Sequence, residues 1–111
     1  MNAKLITSSL DVLIEKLHTN KHYYEYRMTK KGFTRGEGKY YDPMELTIVS
    51  IYSFEEAAYP GEFSFVYILK DNNGVPGYSI DLFSEYSINK ENLYHWFITK
   101  IPGELPVIRD I

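Results

Sequence analysis

Apolar and polar positions along this chain change period several times, and each change predicts an element. In "SSLDVLIEKLHTN", from Ser8 to Asn20, Leu10, Val12, Leu13 and Leu17 fall near one face of a helix. Ser8 with Asp11 three positions on has the form of a capping box, and Asn20 suits the left-handed residue that closes a helix. "HYYEYRMTKKGF", from His22, alternates loosely and is rich in tyrosine, which predicts a strand to Lys30. "TRGEGKYYDP" is turn material. In "MELTIVSIYSFEE" both parities are apolar, with Leu46, Ile48, Tyr52 and Phe54 on one side and Val49 and Ile51 on the other. A strand covered on both faces reads this way.

"KDNNGVPGY", from Lys70 to Tyr78, joins two aromatic and β-branched runs. With Asn73-Gly74 at the centre of a type I′ turn, strands over 62–70 and 77–86 pair Leu69 with Tyr78, Tyr67 with Ile80, Phe65 with Leu82 and Phe63 with Ser84. Slipping by one sets the same residues against Gly77, Ser79, Asp81 and Phe83, a less apolar face, so the first register is expected. A phosphate-binding loop would instead open a helix and carry a Lys-Ser/Thr pair, and neither follows Gly77. The last helix starts in "SINKENLYHWFITK", with Asn89 as N-cap and Ile88 stapled against Leu93. Leu93, Trp96 and Phe97 form its apolar stripe, Lys100 suits its C-terminal end, and Pro102 stops it. The tail "GELPVIRDI" is expected to lie extended along the surface.

The order α-β-β-β-β-α predicts an α+β fold: an antiparallel sheet of about four strands with an N-terminal and a C-terminal helix, both on its more apolar face. That leaves Val49, Ile51, Val66, Ile68 and Phe83 to be covered. Either the second helix crosses to them or a partner subunit does, as in a homodimer.

Length and composition narrow the classes. A chain of 111 residues is expected to be one domain over 1–111. With no cysteine there is no disulfide framework, thiol nucleophile or thiolate metal site. No signal-peptide core opens the sequence and no apolar run reaches the ~18 residues of a membrane span, so a cytoplasmic setting is expected. Net charge is −3 but uneven: residues 21–40 hold six basic and two acidic side chains, residues 41–111 four basic and eleven acidic. Such a basic segment is either a polyanion site or an exposed hairpin whose lysines discourage edge pairing.

From Phe54 to Tyr86 the sequence resembles a family of small uncharacterised proteins from Bacteroidetes. The residues that carry the resemblance are Phe54 and Glu55 in "SFEE", then Pro60, Glu62 and Tyr67 in "YPGEFSFVY", and Gly74, Gly77, Asp81 and Tyr86 in "GVPGYSIDLFSEY". Ser53 stands where the family has arginine, Glu56 and Ser84 where it has glycine, and Phe83 where it has tyrosine. Members often carry the name phosphoribosylpyrophosphate synthetase. That activity uses a metal, two nucleotide-type pockets and a phosphate-binding loop, which this chain does not display. The resemblance therefore implies a common fold and leaves function open.

Candidate chemistry is sparse. His18 and His22 have the spacing of a helical metal pair, but Asn20 ends the helix between them. His95 has no serine or cysteine motif to serve. Asp81 lies mid-strand, opposite Val66 in the expected register, where a buried carboxylate needs a partner such as Arg27 or a polar site with Tyr86 and Glu55. Glu55, Glu56 and Glu62 cluster around "AAYPG", at strand ends where carboxylates are usually solvated. Eleven tyrosines fit either half-buried strand positions or a binding surface. "RMTKKGFTRGEGKYY" sets five basic residues beside Phe33, Tyr40 and Tyr41, a stacking-and-charge composition used for single-stranded nucleic acid, against the overall acidity. No cofactor is expected. The first expectation is a non-catalytic module that binds a small ligand or protein partner through a tyrosine-rich sheet, with Asp81, Tyr86, Tyr67 and Glu55 as its site. The alternative is a small enzyme centred on Asp81 and Glu55. The third is a weak nucleic-acid binder through residues 21–40.

Overall fold

The computed structural model describes residues 9–83, 93–103 and 108–110. Helix α1 (Ser9–Thr19) is followed by strands β1 (Tyr24–Glu25), β2 (Arg27–Thr29), β3 (Gly32–Thr34), β4 (Leu46–Glu55), β5 (Phe63–Asp71) and β6 (Pro76–Asp81), then α2 (Leu93–Lys100) and β7 (Ile108–Asp110). Strands β4, β5 and β6 form an antiparallel meander. Strands β1 and β7 add parallel edges beside β6 and β4, for the order β1-β6-β5-β4-β7, and β2-β3 form a separate ribbon. The fold is α+β as expected, but the sheet is mixed rather than antiparallel. Short connections dictate antiparallel neighbours only within 46–81. The edges come from distant segments, including the tail, which joins the sheet instead of lying on the surface.

The strand expected over 22–30 breaks at Tyr26. Its N–H donates to the Tyr78 carbonyl (2.8 Å), continuing the parallel ladder for one residue, and its buried ring stacks on Phe33 (centroids 5.5 Å apart). The chain then leaves the sheet through the Thr29–Gly32 turn, where the Thr29 hydroxyl donates to the Gly32 carbonyl (2.9 Å) and accepts from the Lys31 N–H (3.1 Å).

The β5–β6 hairpin takes the register that apolarity disfavoured: Leu69 faces Gly77, Tyr67 faces Ser79 and Phe65 faces Asp81. Among the described residues no non-glycine residue has positive φ, so Asn73 cannot serve a type I′ turn; Gly74 alone in the loop is left-handed, at φ 82°. Asp71 Oδ1 accepts from the Asn73 and Val75 N–H groups (2.8 and 2.9 Å), and the Gly74 N–H donates to the Asp71 carbonyl (2.9 Å). This is the three-residue loop of an ordinary turn closed by a left-handed glycine. The small face of β6 is small because tyrosines fill it. A Cβ on Gly77 would lie 2.5 Å from the Tyr26 ring, and Ser79 Oγ donates to the Tyr26 carbonyl (3.0 Å) and sits 3.0 Å from the Tyr94 hydroxyl.

Two cores result, one on each face. Leu46, Ile48, Tyr67 and Leu69 pack with Phe97, Ile98 and Ile101 around α2, joined by Tyr26, Phe33 and Tyr41. Phe54, Val66 and Tyr78 pack with Leu17, against which Leu10 and Leu13 also lie, under α1. The helices thus cover opposite faces rather than sharing one, and Val66 and Ile68 are roofed by α1 without a second chain. Strand β4 serves both cores through a bulge at Val49, which faces solvent at 46 % exposure. Leu46 and Ile48 therefore share a face with Ile51 and not with Tyr52 and Phe54, because the extra residue shifts the alternation. Val12 is exposed on α1, and Leu93 and Trp96 are exposed on α2, whose inward stripe is Tyr94, Phe97 and Ile98. Asn20 closes α1 without a left-handed backbone, its Oδ1 accepting from the His22 N–H (2.9 Å). The capping expectations at Ser8, Ile88 and Asn89 lie outside the described residues.

Candidate functional site

Alternation along β5 sends Phe63, Phe65 and Tyr67 to the α2 side of the sheet, with ring centroids stepping by 6.3 and 6.1 Å. Opposite Phe65, β6 places Asp81, which is 7 % exposed. In the first turn of α2, His95 brings Nε2 to 3.9 Å from Asp81 Oδ2. Phe83 follows β6, with its ring 5.1 Å from that of Tyr59. Phe63, Phe65, Asp81, Phe83 and His95, together with Gly61 and Glu62 from the β4–β5 loop, line an open cleft of about 200 Å³.

The loop at the rim is fastened by its acidic residues. The Gly61 N–H donates to Glu55 Oε2 (2.9 Å), with Gly61 left-handed at φ 92°. The Ser64 hydroxyl donates to Glu56 Oε2 (2.6 Å) and accepts from the Phe83 N–H (2.9 Å), tying loop, β5 and the end of β6 into one chain of hydrogen bonds. Glu55 and Glu56 are thus engaged by the backbone and a hydroxyl. Of the expected site residues, Asp81 and Tyr67 come together: burial, with the Asp81 charge adding to it, pushes the Tyr67 phenol above its ordinary range. Glu55 supports the rim from outside the cleft lining, and Tyr86 lies outside the described residues. Asp81 faces Phe65, not Val66, and Arg27, the partner suggested for it, makes its ion pair with Glu25 (3.0 Å). Sequence reasoning missed Phe63, Phe65, Phe83 and His95 as lining residues. The i, i+2 phenylalanines of β5 were the available signal, but their meeting with α2 is a tertiary fact.

Three of the six basic side chains of the segment, Arg27, Arg35 and Lys39, are paired with carboxylates. Arg35 lies over the ring of Tyr24 at 4.6 Å, with Tyr41 and Tyr26 at 5.5 and 5.8 Å. Its Nε donates to Glu37 (2.6 Å), and one terminal nitrogen reaches the Tyr26 hydroxyl (3.2 Å) and Asp71 (3.4 Å). Burial works against this charge, but the Glu37 hydrogen bond and the tyrosines outweigh it and the guanidinium is held more firmly protonated than usual. Lys39 pairs with Glu45 (2.9 Å). Phe33, at 1 % exposure, and Tyr41 are core residues, so of the three stacking candidates Tyr40 alone is exposed. Lys21, Lys30 and Lys31 remain at the surface.

His18 pairs with Glu25 (3.4 Å) while His22 is exposed, and among the described residues no group of three or more His, Asp or Glu side chains gathers as a metal site. Tyr26, Tyr41, Tyr67 and Tyr78 are buried, so much of the tyrosine content is core rather than display. No helix among the described residues is long and apolar enough to cross a membrane. No protein-family model matches the chain, and neither a curated protein nor a solved structure matches it.

Proposed function

We propose that this protein is a non-catalytic module that binds a small ligand in the cleft between β5, β6 and α2. The observation that carries the reading is the nearly buried carboxylate of Asp81 at the wall of an open cleft whose other walls are Phe63, Phe65, Phe83, His95, Gly61 and Glu62. A few placed polar groups among apolar walls are the usual make-up of a small-molecule site. The tyrosine-rich sheet is the weaker surface for binding, since a helix packs on each face. The enzyme reading centred on Asp81 and Glu55 is weakened, because Glu55 stands outside the cleft lining and accepts from the Gly61 N–H.

A fragment library screened by ligand-observed NMR, with hits mapped on amide chemical shifts, tests this reading. Hits are expected to move the amides of Gly61, Phe63, Phe65 and Asp81 and to be recovered chemically unchanged. Hits that map elsewhere, or none at all, would sink it.

A further inference from the structure

We infer that the cleft takes an uncharged, flat aromatic molecule of one or two rings. This inference rests on the ligand-binding reading above and names the chemistry of its ligand. Asp81 is paired with His95 at 3.9 Å, so it asks no counter-charge of a ligand. Glu62 adds a second carboxylate to the lining, and an acidic ligand would be repelled there. A metal ion would need several oxygen ligands, and no such group gathers among the described residues. A neutral ligand fits all three conditions.

The walls decide which neutral ligand. Along β5, Phe63, Phe65 and Tyr67 form a strip of rings whose planes turn by only 34° and 27° from one to the next, from exposed Phe63 to buried Tyr67. Phe83 extends the aromatic surface beyond β6, and its ring meets that of exposed Tyr59. A lone exposed ring signifies nothing, but exposed rings gathered about one cleft mark a binding groove. An aromatic ligand set against such neighbours gains offset and edge-to-face contacts beyond its buried area, which a saturated ring does not. A sugar would also lie on these rings, but its hydroxyls need several hydrogen-bonding partners. Beyond the phenylalanines the lining is Gly61, Glu62 and the mutually paired Asp81 and His95. At about 200 Å³ the cleft suits one or two rings rather than a drug-sized molecule, whose sites run ~300–1,000 Å³. The chain already sets a flat group on rings elsewhere, where the Arg35 guanidinium lies over Tyr24 with Tyr41 and Tyr26 beside it.

Phenylethanol and cyclohexylethanol separate aromaticity from apolar bulk, and indoleacetamide and indoleacetate separate charge from shape. Titrated into the full chain and followed by amide chemical shifts, phenylethanol is expected to bind about three- to ten-fold more tightly than cyclohexylethanol, although the saturated ring is the more hydrophobic. Indoleacetamide is expected to bind more tightly than indoleacetate, and each probe should move the amides of Gly61, Phe63 and Phe65. Phe63→Leu, at an exposed position, keeps apolar bulk and removes a ring, so it should shrink the phenylethanol preference with the melt preserved. Phe83→Leu is the second variant, with the same expectation. Equal affinity for phenylethanol and cyclohexylethanol, or tighter binding of the acid, would overturn the aromatic inference and leave the ligand-binding reading standing. Silence from all four probes, with fragment hits still in the cleft, would do the same. An aromatic preference that survives both substitutions places the ring elsewhere and overturns it too. Absence of fragment hits as well would sink the reading beneath it.

Discussion

Arg35 organises three tyrosines by lying across them, and burial and hydrogen bonds set the ionisation of the groups around it. Tyr41 is pushed up by burial and by its hydrogen bond to Glu37, while Glu37, against its own burial, is held below the ordinary carboxylate range by Arg35 and Tyr41. Nothing in "TRGEGKYY" announces this box, because Tyr24, Tyr26 and Asp71 arrive from other elements. Gly77 is the complementary case, a residue defined by what it lacks. An added methyl there would meet the Tyr26 ring at 2.5 Å and the Tyr24 carbonyl at 2.7 Å, and the carbonyl belongs to a paired strand that cannot retreat cheaply. Gly77→Ala should therefore cost on the order of 2 kcal/mol or more in urea unfolding, in the range of overpacked cores. Gly103→Ala is the control, since its nearest neighbours stand at 3.6 Å. Equal stability of the two variants would mean that the parallel edge gives way more easily than its contacts imply.

At the scale of elements, the β5–β6 hairpin separates what the pattern could tell from what it could not. Two strands and a turn near Gly74 were legible from alternation and the Asn-Gly pair. The register was not, because apolarity favoured the other pairing: small residues at 77 and 79 looked like a defect instead of room for Tyr26 and Tyr94. Gly74 keeps its importance under the corrected turn: at φ 82° a valine is strained, although a side chain there meets nothing within 4 Å. Gly74→Val should lower stability by on the order of 1 kcal/mol or more, read as a fall in melting temperature. An unchanged melt would show that the loop can adopt another turn without loss. The bulge in β4 hid in the same way, since Val49 reads as one more apolar strand residue and only the pairing of Ile48 with Leu69 and Ser50 with Ile68 reveals it as extra. The cleft's phenylalanines sat in plain alternation, but which helix would face them depended on this unread bulge and register.

Across the whole molecule, the class of fold was legible and its edges were not, because local connection rules say nothing about strands that pair across half the chain. The tyrosines give a measurable property at this scale. Burial raises the ionisation of Tyr26, Tyr41, Tyr67 and Tyr78, the last to about 12, from an ordinary 10.0. A raised folded value means that the native state holds these protons more tightly than the unfolded chain does. The stability this gives is complete below pH 10, and it is lost as pH rises through 10 towards the folded values. Absorbance at 295 nm should show the ionisation of the eleven tyrosines ending in a steep step that coincides with loss of circular dichroism. A single smooth titration of all of them with the fold intact would contradict the buried placement. The parallel edges have a further consequence for how the chain is made. Tyr24 pairs with Gly77 and Ile51 with Ile108, partners about fifty residues apart, so each closure follows long after the first strand leaves a ribosome. Helix α1 emerges early, yet Phe54, Val66 and Tyr78, which it covers, are all delivered later. The early segment must wait beside the ribosome with its apolar stripe uncovered until the β4–β5–β6 meander arrives to receive it.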